Sequence, residues 1–198
     1  MFDWVVSTIN GWGNLGVFLL MVAENVFPPI PSEIIMPLAG FLAGRGEMSL
    51  GSVILFGTVG SVIGTTMWYY VGMWIGEARL KRFAAKHGRL LTLSPSDVDM
   101  AREWFDRHGG AAVFAGRMLP TIRTLISVPA GLSRMPMWKF LIYTTLGSVI
   151  WIGALAVAGL VLHENYELVA EWVDPLSKLV ILVVVVVYLY RVIRWKPH

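Results

Sequence analysis

Three long apolar runs constrain this chain most, because each is long enough to cross a lipid bilayer. Residues 50–75 carry no charged side chain, and as a helix they reach roughly 39 Å. Residues 138–162 are similar once Lys139 is placed at the interface, where a lysine can extend its amine into water. Residues 176–193 contain a run of valines and end just after Arg191. The pattern predicts an all-α polytopic membrane protein.

The composition agrees with this prediction. Of the 198 residues, 56% are hydrophobic and 15% are charged, whereas a soluble domain has about 25% charged residues. This excludes a cytosolic globular protein, and the long apolar runs exclude a β-barrel of alternating segments. The chain has no cysteine, and its four histidines lack metal-ligand spacing. We therefore predict no metal and no cofactor, and nothing in the charge distribution indicates nucleic acid.

Two further apolar segments, residues 14–44 and 111–134, are interrupted by prolines. Together they contain six of the chain's ten prolines, so neither can be one unbroken helix. The apolar pieces between the breaks are about 9–13 residues, too short to cross a bilayer. We predict two re-entrant hairpins, which a membrane tolerates where protein shields them or where they line a wet cavity. The residues assigned to the hairpins are Pro28, Pro31, Pro37 and Gly40 in the first and Gly116, Pro120, Pro129 and Gly131 in the second.

The stretch between the first span and the second hairpin, residues 77–110, is polar and holds seven Lys or Arg. Basic loops stay on the cytoplasmic side, so this loop and the C-terminus beyond Arg191 are predicted to be cytoplasmic. The acidic residues 163–174 then lie outside. Within the loop, Pro95 at a first helical position predicts a short amphipathic helix that ends at Gly109 and Gly110. That helix either lies on the membrane surface or is a solvated linker.

A faint internal repeat is present. The tetrapeptide Gly-Ser-Val-Ile at 60–63 recurs at 147–150, an offset of 87, and the segment 37–40 corresponds to 129–131. One crossing in each half would make the two copies inverted, a plan common in secondary transporters. The predicted fold is one membrane domain over residues 1–198, with two inverted repeats of a re-entrant helical hairpin plus a transmembrane helix, followed by a C-terminal transmembrane helix.

Four charged residues lie inside the broken segments: Glu24 and Glu33 in the first, Arg117 and Arg123 in the second. A charge at the bilayer centre costs very roughly 2.5–3.5 kcal/mol on insertion scales. We therefore expect each of these residues to have a structural or functional role that offsets this cost. One interpretation is two buried Glu–Arg pairs that tie the hairpins together. The other is a polar cavity in which the arginines bind a phosphate-like anion and a glutamate carries protons.

These residues belong to motifs that resemble the DedA family, whose shared region is also called the VTT or SNARE-associated domain. The motifs are Glu-Asn-x-x-Pro-Pro-x-Pro-Ser-Glu at 24–33, Pro-x-Ala-Gly at 37–40, Gly-Arg-x-x-Pro-x-x-Arg at 116–123 and Ala-Gly at 130–131. The resemblance implies a bacterial inner-membrane protein built around two facing re-entrant hairpins. It also implies that Glu24, Glu33, Arg117 and Arg123 are the important acids and arginines, although some relatives carry Asp where Glu33 stands.

The family's association with lipid movement implies a function. The leading hypothesis is a transporter or scramblase that moves a phosphate-bearing lipid, undecaprenyl phosphate or a phospholipid, between leaflets and is coupled to the proton-motive force. Its partners would be membrane lipids, protons and a second copy of the chain. The alternatives are a proton-coupled exporter of small cations and a structural membrane protein. A membrane phosphatase would need a histidine nucleophile near basic residues. Since neither hairpin contains a histidine, we predict that the protein is not an enzyme.

Overall fold

The computed structural model describes residues 2–26, 31–91, 95–120 and 122–161. These ranges fold into six helices and no strand, which confirms the predicted all-α class. The predicted span 176–193, the acidic segment 163–174 and Pro28 lie outside the described residues. The helices are α1 (Phe2–Val26), α2 (Ser32–Gly44), α3 (Leu50–Leu91), α4 (Pro95–Arg117), α5 (Ser127–Leu132) and α6 (Met137–Val161).

Three of the described helices are long and apolar enough to cross a membrane: Trp4–Val26, Leu50–Arg82 and Met137–Val161. The last two correspond to the predicted spans. The first was not predicted, because the pieces of 14–44 were too short when taken alone. In the structure, α1 starts well before that segment and contains a kink at Gly13, which has a φ of 54° and separates its two parts. Whether the segment crosses the membrane or returns to the same side stays a prediction.

The polar stretch 77–110 is more helical than predicted. α3 continues through it to Leu91, although Gly76, directly after the predicted end of the span, has a positive φ of 65°. α4 begins at Pro95 as predicted, but the predicted end at Gly109 and Gly110 is wrong, since the helix runs on to Arg117. The reason is packing. A Cβ at Gly110 would overlap the ring of Tyr143 in α6, so this glycine allows a close helix contact instead of ending a helix.

The described prolines of the two broken segments differ in their position relative to the helices. Pro31 is the N-cap of α2, and Pro120 lies in the turns after α4, so both stand at the predicted breaks. Pro37 lies inside α2 and Pro129 within the first turn of α5, so neither of these prolines breaks a helix, and their part in the hairpins stays a prediction. In a first turn the missing proline N–H costs no helical hydrogen bond.

The broken segment of each half packs against the long helix of the other half. α2 packs on α6 and α5 packs on α3. Gly40 and Gly131 make these crossings close, since a Cβ on either would overlap a backbone carbonyl oxygen, that of Ala156 or of Tyr69. Tyr69 and Ala156 are 87 positions apart, which is also the offset between the two copies of Gly-Ser-Val-Ile. The two crossings therefore pair corresponding positions, while the inverted orientation of the halves stays a prediction.

Two apolar cores form at opposite ends of the long helices. The first contains Val53 of α3 and Ile152 of α6, and the second contains Tyr69 of α3 and Phe140 of α6. Ser61 and Ser148 lie between these positions on the same two helices. The other buried members of the first core come from α1 and α2, apart from Ala156 of α6, and those of the second from α4, α5 and the residues that follow α5. The exposed face of α3 is apolar at Leu55, Val59, Ile63 and Met67.

Candidate binding site between the two cores

The structure brings the four predicted charged residues into one region. Glu24 lies near the end of α1, Glu33 in the first turn of α2, Arg117 at the end of α4 and Arg123 in the turns that follow. Glu24, Arg117 and Arg123 are 3%, 2% and 6% exposed, whereas Glu33 is partly exposed. Such burial is expensive for charged groups unless they find partners. The two arginines find very different ones.

The first group, here called the carboxylate site, consists of Arg123, Glu24, Ser32 and Glu33. Nη2 of Arg123 donates to Oε1 of Glu24, and Nη1 donates to Oγ of Ser32. The second oxygen of Glu24 accepts a 2.6 Å hydrogen bond from Asn25. Oε1 of Glu33 lies 3.9 Å from Nη1 of Arg123, and this buried oxygen has no hydrogen-bond partner among the described residues. Both oxygens of Glu24 therefore accept hydrogen bonds, whereas Oε1 of Glu33 lies near Arg123 and accepts none from the described residues.

The second group, here called the serine site, consists of Arg117, Ser61 and Ser148. Nη2 of Arg117 donates to Oγ of Ser61 at 2.5 Å and to Oγ of Ser148 at 2.7 Å, and Nε lies 3.2 Å from the same Ser148 oxygen. Nη1 donates to the backbone carbonyl oxygen of Arg123 at 2.9 Å. Within the described part of the chain, no carboxylate forms an ion pair with Arg117. Neutral acceptors alone hold this buried cation.

The pairing differs from the expectation of two Glu–Arg pairs. Both carboxylates form ion pairs with Arg123, and neither lies within ion-pair distance of Arg117. Arg117 does stand at the C-terminal end of α4, where the helix dipole favours a positive charge. That effect is worth typically 0.3–1 kcal/mol, and up to about 2 in partly buried geometries, well below the cost of burying an isolated charge.

The sequence analysis missed Ser61 and Ser148, although the repeat contained the signal for both. They are the second residues of the two Gly-Ser-Val-Ile copies, and each copy places a glycine beside its serine. A Cβ at Gly147 would lie 2.6 Å from Cβ of Arg117, so only a glycine lets α6 approach the arginine this closely. Gly60 similarly lets α3 approach the backbone of α1 at Phe18. The glycine sets the helix distance, and the serine reaches the guanidinium.

Asn25, which is 1% exposed, connects the two sites. Its amide nitrogen contacts Oε2 of Glu24 and lies 3.3 Å from Oγ of Ser61, so one side chain contacts both groups. The indole of Trp68 donates to the backbone carbonyl of Asn25 at 2.8 Å. A continuous polar network therefore runs from α1 through α3 to α4 and α6. Such networks hold their members in fixed positions when every member is satisfied.

The serine site lies deep within the helices. Ser148 stands near the midpoint of α6, a 25-residue helix of roughly 37 Å. If α6 crosses the bilayer, its midpoint lies near the membrane centre. The arrangement offers a buried guanidinium fork, hydroxyls that can rotate, and a nearby free carboxylate oxygen. Chemically, it is suited to binding an anion beside a group that can take up a proton.

Comparisons with known proteins agree with the motifs. The VTT domain model matches residues 30–161. An "Alkaline phosphatase-like protein" of Lactococcus lactis subsp. cremoris is 39% identical over 93% of this chain and 87% of its own length. "Undecaprenyl phosphate transporter A" of Staphylococcus aureus is 32% identical over 96% of this chain and 94% of its own length, and the protein of that name in Bacillus subtilis is 29% identical over 96% and 92%. No solved structure shows a significant match.

The domain match covers more than half of the chain, and the Lactococcus relative is similar over nearly its whole length. With its apolar helices, the chain is a multi-pass bacterial membrane protein. The resemblance drawn from the motifs is confirmed: the chain belongs to the VTT domain family.

Proposed function

We propose that this protein moves a phosphate-bearing lipid between the leaflets of the bacterial inner membrane, with Arg117 as the residue that binds the phosphate group. One observation carries the proposal. The Arg117 guanidinium is 2% exposed, and no carboxylate among the described residues pairs with it. A buried cation without a directly paired anion is energetically costly. A bound anion would supply that partner. The names of the Staphylococcus and Bacillus relatives support undecaprenyl phosphate as the lipid.

The geometry of the serine site suits a phosphate in particular. Arginine presents a planar fork that bonds two phosphate oxygens at once, a contact that lysine cannot reproduce. In the serine site such a contact would replace one of the serine acceptors. Ser61 and Ser148 hold one edge of that fork, and their hydroxyls can turn to donate to an arriving oxygen. The same contacts keep the guanidinium in position before the ligand binds.

The proposal includes proton coupling through Glu33. This glutamate is the only one of the pair with a free oxygen, since Asn25 and Arg123 engage both oxygens of Glu24. Its side chain is 36% exposed, so the protein does not enclose it fully. Its Oε1 lies 3.9 Å from Nη1 of Arg123 and accepts no hydrogen bond from the described residues.

The primary test is a leaflet-transfer assay in proteoliposomes with a polyprenyl phosphate, comparing wild type with Arg117→Lys. Losing bidentate phosphate contact should cost roughly 1.5–3 kcal/mol, which is about ten- to a hundredfold in affinity. We expect normal expression and a comparable loss of transfer. The matched control is Arg107→Lys, an exposed arginine on α4. Wild-type transfer by Arg117→Lys would contradict the proposal.

The same vesicles test the other hypotheses. Movement of a small cation against a pH gradient without lipid transfer would indicate an exporter, and neither flux would indicate a structural protein. We propose that the protein is not an enzyme. Because a Lactococcus relative is named as phosphatase-like, phosphate release from the lipid is measured in parallel. Release that depends on Arg117 would overturn the non-enzyme proposal.

Glu33→Gln tests proton coupling. The variant keeps the size and polarity of the side chain, so folding should be normal. We expect wild-type transfer to vary with pH and transfer by the variant to lose that dependence. Glu47→Gln is the control, because Glu47 is exposed and pairs only with Arg45 among the described residues. An unchanged pH profile in Glu33→Gln would exclude Glu33 as the proton carrier.

We also propose the inverted topology with a cytoplasmic C-terminus, on the basis of loop charge and the repeat. A cysteine that replaces Glu167 should react with an impermeant thiol reagent from outside. One that replaces Lys86 should react only after permeabilisation. Labelling of both from the same side would contradict this topology.

A further inference from the structure

A second cationic region lies away from the site described above, at the C-terminal end of the candidate span Leu50–Arg82. It is a cavity of about 680 Å³ between the C-terminal half of α3, α4 and the turn after α5. From Ser61, its first residue on α3, Ile75, is roughly 21 Å along the helix axis. Its volume is within the range of small-molecule binding sites. The cavity is therefore large enough for a lipid headgroup and distinct from the serine site.

The side chains that line this cavity are strongly basic. Five of them are cations, and one, Glu77, is an anion: the cations are Arg79, Lys81, Arg82, Arg102 and Arg134. Glu77 is already engaged by Lys81 at 2.7 Å and by Arg102. Lys81 also pairs with Asp99, and Arg102 lies 3.6 Å from Asp106. These acids neutralise the α3–α4 side of the cavity.

The other three cations have no carboxylate partner among the described residues. Arg79 and Arg82 donate only to backbone carbonyls of their own helix, those of Trp74 and Ala78. Arg134 has the only positive φ among the described non-glycine residues, 50°. This left-handed conformation is costly for a side chain that carries a Cβ. Arg134 ends α5 in this conformation, since its N–H and that of Met135 donate to the carbonyls of Gly131 and Ala130.

Arg79, Arg82 and Arg134 therefore supply the positive charge that is available to a ligand in the cavity. Three guanidinium groups without a carboxylate partner among the described residues favour an anion with several oxygen atoms. From this geometry we propose that the cavity is a binding site for a phosphate group at the membrane–water boundary, either on a lipid headgroup or as free phosphate.

The test uses the purified full-length protein in detergent and two probes, dihexanoyl phosphatidic acid and inorganic phosphate, titrated calorimetrically. The variants are Arg79→Gln and Arg134→Gln. Arg107→Gln is the matched control, because it removes the same charge from α4 outside the cavity. Each cavity variant should bind at least one probe about tenfold more weakly, the loss expected for one charge-assisted contact. The control should bind like wild type.

Arg134→Gly separates binding from folding. It removes the charge and also relieves the left-handed backbone, so its melting temperature should be no lower than that of wild type while its binding falls. Weaker binding of both probes indicates a site for the phosphate group itself, and weaker binding of phosphatidic acid alone identifies the lipid headgroup as the ligand. Unchanged binding in Arg79→Gln and Arg134→Gln, or an equal loss in Arg107→Gln, would overturn the cavity site.

Arg117→Lys distinguishes this proposal from the lipid-transfer function. The cavity variants should keep the serine site intact, so binding that is lost only in Arg117→Lys would overturn the cavity and leave the proposed function standing. Binding that is lost in the cavity variants and kept in Arg117→Lys supports the cavity, whatever the result of the transfer assay.

Discussion

Arg117 and Arg123 are six residues apart, on the same broken segment, and almost equally buried, yet their surroundings differ. Arg123 lies in the carboxylate site, bonded to Glu24 and close to Glu33. Arg117 lies in the serine site, where two hydroxyls and a carbonyl accept its hydrogen bonds. The first arginine is neutralised within the protein, and the second is oriented without being neutralised.

This difference separates a structural role from a binding role. A neutralised pair joins the end of α1 to the turn after α4 and requires no ligand. A cation held only by neutral acceptors is poised for an anion from outside the protein. The interpretation of two buried pairs therefore fits Arg123 and fails for Arg117. Each prediction below changes one site and leaves the other intact.

The largest expected difference is in stability. Arg123→Met leaves the Glu24 carboxylate buried without its partner, which should cost about 3–5 kcal/mol of unfolding free energy. Arg117→Met removes the donor from two hydroxyls and one backbone carbonyl but leaves no charge buried, which should cost less than about 2 kcal/mol. Denaturant titration of both variants in detergent measures the difference. Adding Glu24→Leu to Arg123→Met should recover most of the loss, and equal losses in the two single variants would contradict the comparison.

A smaller effect is expected from Gly147→Ala, which acts on the serine site alone. The new methyl would lie 2.6 Å from Cβ of Arg117, so it must displace the arginine or separate α4 from α6. Overpacking of this kind typically costs 1–3 kcal/mol. Lipid transfer should fall while the Glu24–Arg123 contact is kept. Gly153→Ala on the same helix is the control, because its Cβ would meet only Cδ1 of Ile54 at 3.9 Å. Equal transfer by both variants would show that the close approach is unimportant.

The smallest effect is expected from the serines. Ser61→Ala or Ser148→Ala removes one acceptor from the Arg117 fork, a hydrogen bond to a charged group worth about 1.5–3 kcal/mol at most. Other acceptors remain in either variant, so we expect about a fivefold loss of phosphate-lipid binding, near 1 kcal/mol. Ser52→Ala is a control in α3, since Ser52 bonds Asn14 away from the site. Binding unchanged in the double variant would exclude a role for the hydroxyls.

The charged residues could be predicted from sequence because the bilayer makes their burial expensive. Glu24, Glu33, Arg117 and Arg123 stand out in apolar segments, and the structure brings them together. The serines do not stand out. A serine inside a helix can bond the carbonyl four residues earlier, so nothing in the sequence requires it to have a distant partner. Only the repeated tetrapeptide indicated a shared role.

The extent of α4 could not be predicted from local preferences. Glycine in a helix interior costs up to about 1 kcal/mol relative to alanine, so Gly109 and Gly110 indicated an end. The contact of Gly110 with Tyr143, across 33 positions of the chain, outweighs that preference. Pro37 was misjudged similarly, since α2 continues through it in close contact with α6 at Gly159. Helix ends that depend on tertiary contacts lie beyond single-sequence reasoning.

The most direct test of the account is the contact between Arg117 and a lipid phosphate. Solid-state NMR of protein with ¹⁵N-labelled arginine, in bilayers containing a polyprenyl phosphate, measures ¹⁵N–³¹P dipolar coupling between guanidinium and phosphate. The account predicts coupling in wild type, a clear reduction in Arg117→Lys, and no reduction in Arg107→Lys. Arginines of the basic cavity would give the same ¹⁵N–³¹P coupling in wild type, Arg117→Lys and Arg107→Lys, so they do not affect the comparison. The same coupling in Arg117→Lys as in wild type would contradict the account.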